Sequence, residues 1–222
     1  MTEAFARRGI EVTLLNRSER ILGDFDGDFA APVLDALRHC GVEVVLGADV
    51  RGIEGTAGRA TAVASDRGLH AADLVLVATG LEPGSELARA AGLALGASAA
   101  ISVDERMRTE RAGLWAAGDC IEVKHVVSGE KVHAPLALTA NRTGRIAGDN
   151  MASAALGRNS EQRFRGTAGT TIAKVFDYAL AQTGLSAAAA ARAGFDAVVF
   201  ERRSRSRAGY YPGAKPLWTR IV

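Results

Sequence analysis

The sequence predicts an α/β fold that contains part of a doubly wound sheet. Three observations predict it. Short β-branched apolar runs flank an amphipathic stretch between residues 12 and 46. A fully apolar run, Leu74-Val75-Leu76-Val77, ends in Ala78-Thr79-Gly80. A second run, Leu114-Trp115-Ala116-Ala117-Gly118-Asp119, closes on small residues and a carboxylate. Strands buried on both faces read as continuous apolar runs and need a helical crossover between them.

Each element follows from local chemistry. Residues 1–9 read as the end of a helix, with Arg7 and Arg8 before a capping Gly9. Val12-Thr13-Leu14-Leu15 reads as a buried strand. Residues 28–40 read as a helix with Phe29, Val33, Leu34 and Leu37 on one stripe, stopped by Gly41. Residues 42–46 form the next strand, and Gly55, Gly58 and Gly68 punctuate two weaker strands at 60–64 and 68–71. Residues 74–77 complete the order strand, helix, strand, hairpin, strand, the latter part of a dinucleotide-binding unit. Its opening strand and Gly-x-Gly-x-x-Gly turn are not in the sequence.

A new pattern runs from Ile101-Ser102-Val103-Asp104 to the strand at 114–119. Pro135 then opens a long helix to about Leu156, because proline suits a first turn that needs no amide hydrogen. A third region holds a strand at 170–176, an alanine-rich helix at 186–193, and strands at 195–201 and 215–222. The four arginines between Glu201 and Arg207 read as a solvated loop, or alternatively as a surface that faces an anion. The expected division is 1–100, a partial dinucleotide-binding domain, then 101–160 and 161–222. A start inside a helix and an end inside a strand lead us to expect a portion of a larger unit.

Composition narrows the function classes. The 222 residues are 48% hydrophobic and 23% charged, ordinary for a globular chain. A net charge of +2 gives no global reason to expect nucleic acid or membrane partners, and no apolar run approaches bilayer length. Cys40 and Cys120 form no Cys-x-x-Cys pair, so no metal site is expected, and this usage fits a reducing cytoplasm. Cys40, at a helix end, reads as a small buried apolar residue.

The candidate site residues have physical reasons. Small Gly118 lets a ligand approach the backbone, and Asp119 can accept hydrogen bonds from sugar hydroxyls, although a capped turn reads the same way. A carboxylate at the end of the second strand would bind ribose hydroxyls and repel a 2′-phosphate. Here Asn16 and Arg17 stand there, with Arg20 nearby, which favours NADPH over NADH. If Arg17 is only a surface residue, either nucleotide serves.

Ala78-Thr79-Gly80, then Ala117-Gly118-Asp119-Cys120, then the helix behind Pro135 together resemble the two-dinucleotide-binding-domain flavoproteins. Residues 124–129, 135–150, 174–177, 183–185 and 209–216 resemble their coenzyme A disulfide reductase and NADH oxidase branch, over essentially the whole chain. The resemblance implies an FAD-dependent NAD(P)H oxidoreductase passing hydride to FAD and on to coenzyme A disulfide, a related thiol or disulfide, or oxygen. It implies a homodimer, with 1–100 a partial nicotinamide-nucleotide domain, 101–160 the rear of a flavin domain and 161–222 a truncated dimerisation domain. Thr79 and Gly80 would close the nicotinamide domain, Asp119 would bind the ribityl and pyrophosphate region of FAD, and the amides of Leu136 and Ala137 would face the flavin pyrimidine. Tyr210 or Tyr211, one pointing inward from an extended loop, would handle the thiol leaving group in the partner's active site. The loop equally reads as a packed turn. Arginines before it would hold coenzyme A phosphates. Cys120 does not match the family's redox cysteine. The alternative is a non-catalytic fragment or subunit, lacking that cysteine and both phosphate turns.

Overall fold

The computed structural model describes residues 1–160 and 162–222. In chain order the first elements are α1 (Thr2–Ala6), β1 (Thr13–Asn16), α2 (Gly27–His39), β2 (Glu43–Leu46), β3 (Val50–Thr56), β4 (Arg59–Ser65) and β5 (Gly68–Ala71). Then follow α3 (Glu86–Ala90), β6 (Glu122–Lys124), β7 (Lys131–His133) and α4 (Ala137–Ala155). The last are β8 (Thr171–Val175), β9 (Tyr178–Gln182), α5 (Ala187–Arg192), β10 (Phe200–Arg205) and β11 (Pro216–Ile221). Two compact units result: Met1–Ala78 with Thr171–Gln182 and Ser186–Val222, and Thr79–Thr170 with Thr183–Leu185. The expected boundary at residue 161 lies outside the described residues.

In the first unit β1 and β2 pair in parallel, from Thr13↔Glu43 to Asn16↔Leu46, with α2 as the connection between them. Ala30, Val33 and Leu37 of α2 are buried with Ile21, Phe25, Val42, Phe176 and Leu180. Phe29 and Leu34 pack against that cluster, so the expected stripe is present. The helix ends in a Schellman arrangement: the Gly41 amide donates to the Arg38 carbonyl and the Val42 amide to the Leu37 carbonyl. Gly41 takes φ 79° to allow this. Cys40 is exposed, contrary to expectation. The cap turns the chain away before the helical stripe can return, and Val42 takes the buried place.

Three further expectations need correction in this unit. β3 was not expected; its two glycines and two charges hide the strand, its residues are all exposed, and its register with β4 slips twice. Gly55 is required there, since a Cβ would lie 2.5 Å from the Arg59 carbonyl oxygen. Residues 74–77 carry the composition of a buried strand, yet no described strand pairs with them, and Leu74, Leu76 and Val77 are exposed. Composition makes a strand eligible for burial but does not supply its ladder partner. The arginine stretch lies mostly in β10 rather than a loop, because β11 pairs with it from Phe200↔Ile221 to Arg205↔Pro216.

β8 and β9 form a hairpin whose turn places Phe176 at φ 49°. The Glu3 carboxylate accepts from the Phe176 amide at 2.8 Å and pairs with Arg7, and these contacts hold its carboxyl below the usual range. Ser186 caps α5 by accepting from the Ala189 amide.

The second unit is built on short bridges rather than on the strand expected at 114–119. Ile101 pairs with Leu95 and Ile121, and Arg108 with Trp115. Ile101, Val103, Met107, Ile121 and Val123 make the core, and Ala147 of α4 joins it. The buried stripe of α4 is Thr139, Thr143, Ala147 and Asn150, spaced at one helical face. Pro135 does not open this helix: Leu136 is the N-cap, and Pro135 precedes it. Asp104 accepts from the Arg106 and Arg108 amides and pairs with the Arg108 guanidinium. Burial pushes this carboxyl up, but those donors outweigh it and leave it lowered.

The α2 stripe gives a direct test. Leu37→Ala, at a position 4% exposed, should cost about 2–5 kcal/mol in urea denaturation. Leu34→Ala, at the partly buried edge of the stripe, should cost less.

Candidate functional site

Gly118 and Asp119 sit in a turn of the second unit, between the Trp115 bridge and β6. Gly118 adopts φ 88°, a left-handed conformation that glycine takes without strain. Its amide donates to the Thr143 hydroxyl at 3.1 Å. Thr143 is fully buried in the second turn of α4, and its own hydroxyl proton reaches the Thr139 carbonyl at 2.9 Å or that of Ala140 at 3.1 Å. The turn is thereby fastened to the first half of the helix. On the other side, His133 Nε2 donates to the Asp119 carbonyl at 2.7 Å. A carbonyl only accepts, so Nε2 carries the proton. Neither Thr143 nor His133 was singled out from sequence.

The Asp119 side chain is exposed, while its backbone is held from two directions. At the helix start, Ala140 donates to the Leu136 carbonyl. The amides of Ala137, Leu138 and Thr139 precede the first intrahelical bond, and no side chain caps them among the described residues. The Leu136 amide donates to Ala134 at 2.8 Å, so it is not the free donor expected; Ala137 remains one. Together these residues present one carboxylate and a row of amides at the positive end of a 19-residue helix. Thr79 and Gly80 are exposed, and Gly80 has φ 117°.

Cys120 follows the carboxylate, half-buried, and its thiol donates to the Ala117 carbonyl. Burial pushes this thiol up, with the Asp119 charge adding to the effect. A raised thiol is a poor nucleophile, which agrees with leaving Cys120 out of the redox chemistry.

In the first unit, Asn16 ends β1. Its Nδ2 donates to the Ser18 carbonyl at 2.8 Å and the Arg20 carbonyl at 3.1 Å, folding the loop that presents Arg17. Arg17 and Ser18 are exposed. Arg20 Nη2 donates to the Gly23 carbonyl, three residues further on.

Tyr210 and Tyr211 occupy the connection between β10 and β11 in the same unit. This connection is a closed turn rather than the extended segment expected. Ser206 and Lys215 bond across its base, and the Tyr211 amide donates to the Ala208 carbonyl. The curvature places both rings together, centroids 5.4 Å apart, and both are exposed. Of the arginines before them, Arg203 lies 4.4 Å over the Trp218 ring and Arg207 donates to the Pro212 carbonyl.

Residues 1–144 match the pyridine nucleotide-disulphide oxidoreductase family. A CoA-dependent NAD(P)H sulfur oxidoreductase of Pyrococcus furiosus is 38% identical over 100% of this chain and 49% of its own length. The chain spans about half the length of the curated relatives it matches. The structure of an NAD-dependent persulfide reductase from A. fulgidus is similar with a TM-score of 0.88 and 36% identity, over 98% of this chain and 39% of that one. An engineered water-forming NADPH oxidase, derived from the Lactobacillus brevis NADH oxidase, has a TM-score of 0.87 and 27% identity, over 98% of this chain and 47% of that one. Its substitutions include Asp→Ala, Ala→Arg and Met→Ser at consecutive positions.

Thr143→Val keeps the shape of the buried side chain and removes the only acceptor seen for the Gly118 amide among the described residues. It should cost about 1–3 kcal/mol in urea denaturation. Thr143→Ser should stay within roughly 1 kcal/mol of the parent.

Proposed function

This chain belongs to the pyridine nucleotide-disulphide oxidoreductase family, and from that premise we propose that it carries nicotinamide-side and flavin-side groups of an FAD-dependent NAD(P)H oxidoreductase of the coenzyme A disulfide reductase and NADH oxidase type. The observation that carries the reading is the fastening of the Gly118–Asp119 turn to α4 through Thr143. That bond holds the turn bearing the Asp119 carboxylate to the first half of α4 without consuming the uncapped amides at the helix start. The donor set fits FAD: Asp119 would accept from ribityl hydroxyls, and the amides beginning at Ala137 would favour negative charge on the ring. When bound, FAD supplies acceptance of a hydride from the nicotinamide and delivery of two electrons to a disulfide or to oxygen.

On the nicotinamide side, NADPH is the better fit. Arg17 and Ser18 follow β1 in the same order as the Arg and Ser acquired by the engineered NADPH oxidase. A guanidinium matches a 2′-phosphate, and Asn16 presents no carboxylate to repel it. Tyr210 and Tyr211 would meet a coenzyme A disulfide or a related small thiol, donating a phenolic hydrogen bond to the leaving sulfur. The sulfur relative of Pyrococcus furiosus is CoA-dependent, which supports this class. Arg202 and Arg205, both exposed, are the cations placed to meet its phosphates. We propose a homodimer in a reducing cytoplasm. No described helix is long and apolar enough to cross a membrane.

A second reading, a non-catalytic fragment or subunit, is supported by one sequence fact: these 222 residues include no Gly-x-Gly-x-x-Gly turn.

Flavin fluorescence separates the two. The purified chain is expected to hold FAD loosely, with added FAD quenched on binding and Asp119→Ala weakening the affinity about tenfold or more. A chain indifferent to FAD rejects the first reading. Binding of NADPH should exceed that of NADH, and Arg17→Ala should reduce this margin roughly tenfold. Equal affinities in the parent would remove the 2′-phosphate assignment.

A further inference from the structure

The tyrosine-bearing hairpin is anchored by an arginine that no part of the reading above uses. Arg220 lies on β11 opposite Glu201 on β10. Its Nε donates to Glu201 Oε1 at 2.8 Å, and Nη2 bonds the same oxygen. Nη1 donates to Asp26 Oδ2 at 2.9 Å and to Asp28 Oδ1 at 3.1 Å, while Nη2 also meets Asp28 Oδ2. A guanidinium has five N–H donors, and here five bonds run to three carboxylates. The side chain is only 16% exposed. Asp26 is the N-cap of α2 and Asp28 lies in its first turn.

Aromatic stacking continues the contact. Phe29 of α2 stacks on Trp218 of β11 with centroids 4.2 Å apart. Arg203 covers Trp218, and Arg220 also lies 5.1 Å from the Phe29 ring centroid. Three carboxylates around one guanidinium repel one another once that cation is removed. A lysine, with one point of charge and three donors, cannot make five bonds in a plane.

We propose that Arg220 is a positioning residue. It fixes hairpin β10–β11, and with it Tyr210 and Tyr211, to the start of α2, directly after the loop that presents Asn16 and Arg17. The orientation of the tyrosine loop is then set by the same segment that would receive the nucleotide. The functional part of this inference rests on the role proposed above for the tyrosines; the anchoring does not.

Hydrogen–deuterium exchange on the whole chain tests it. Arg220→Lys should speed exchange of amides in β10, β11 and residues 206–215 by about tenfold or more, with β3–β5 unchanged. Arg220→Met should exceed it, and D28N/R220M should fall back toward the parent because one stranded carboxylate is gone. Should Arg220→Met fail to fold, Glu201→Gln, which keeps the cation, gives a smaller increase at the same amides. In a Trp115→Phe background, leaving Trp218 as the remaining tryptophan, Arg220→Lys should shift emission to the red as the stack opens. Parent-like exchange in Arg220→Lys, or equal acceleration in β3–β5, overturns the proposal. Exchange is read without ligand, so a chain that fails to bind coenzyme A refutes the role of the tyrosines and not the anchor.

Discussion

One hydroxyl organises the candidate flavin-side site. Thr143 has a single proton and two lone pairs. It spends the proton on a carbonyl of its own helix and offers a lone pair to the Gly118 amide. The alternative, a side chain from the turn capping the helix, would have fastened the same elements while using up first-turn donors. Anchoring one turn deeper leaves Ala137, Leu138 and Thr139 at the helix start, and the left-handed Gly118 lets Asp119 turn outward beside them. Burial makes the bond consequential, because an amide stripped of water and left without an acceptor costs far more than a bond gains at the surface.

The first unit solves a different problem by the same logic. An N-cap aspartate, a first-turn aspartate and a cross-strand glutamate converge, which would be repulsive without a counter-charge. Burial alone would raise the Asp28 carboxyl; the Arg220 hydrogen bonds and charge reverse that and leave it lowered. Arg220 is in turn held firmly protonated by Asp28, Asp26 and Glu201. Exposed ion pairs contribute little singly. This one differs by being networked and planar, with the Arg220 side chain itself half-buried beside the Phe29 ring.

Much of the fold was legible because its rules are local. The β1–α2–β2 succession follows from periodicity and from Gly41, and α4 from a long stretch bounded by Pro135 and Gly157, which holds despite Gly144 and Gly148 inside it. What escaped depends on partners distant in the chain. Arg220 meets Asp26 and Asp28 across more than 190 residues, and nothing in the stretch 215–222 reveals that its arginine is enclosed by carboxylates. Thr143 reads as an indifferent helix residue until Gly118 is brought to it. β3 lacks alternation because neither face is buried. Residues 74–77 mislead in the opposite sense, since their apolar composition advertises a paired strand. The candidate motifs at 118–119 and 16–17 were singled out by residue type together with the family resemblance; the geometry of the tyrosine loop was not legible, because a turn and an extended segment share the same glycine and proline content.

Asn16 shows why a single substitution need not translate simply into nucleotide preference. Its amide nitrogen donates to two carbonyls, those of Ser18 and Arg20, and so shapes the loop on which Arg17 is displayed. Aspartate is nearly isosteric but, when ionised, has only acceptors. Placed here it would face two carbonyl oxygens with no proton to offer, and the loop would open even as the carboxylate became available to a ribose. Neutral charge and loop shape are thus carried by the same side chain. The 2′-phosphate preference proposed for this loop would rest on its backbone path as well as its charge, and reversing it would require new donors for Ser18 and Arg20 together with the new carboxylate.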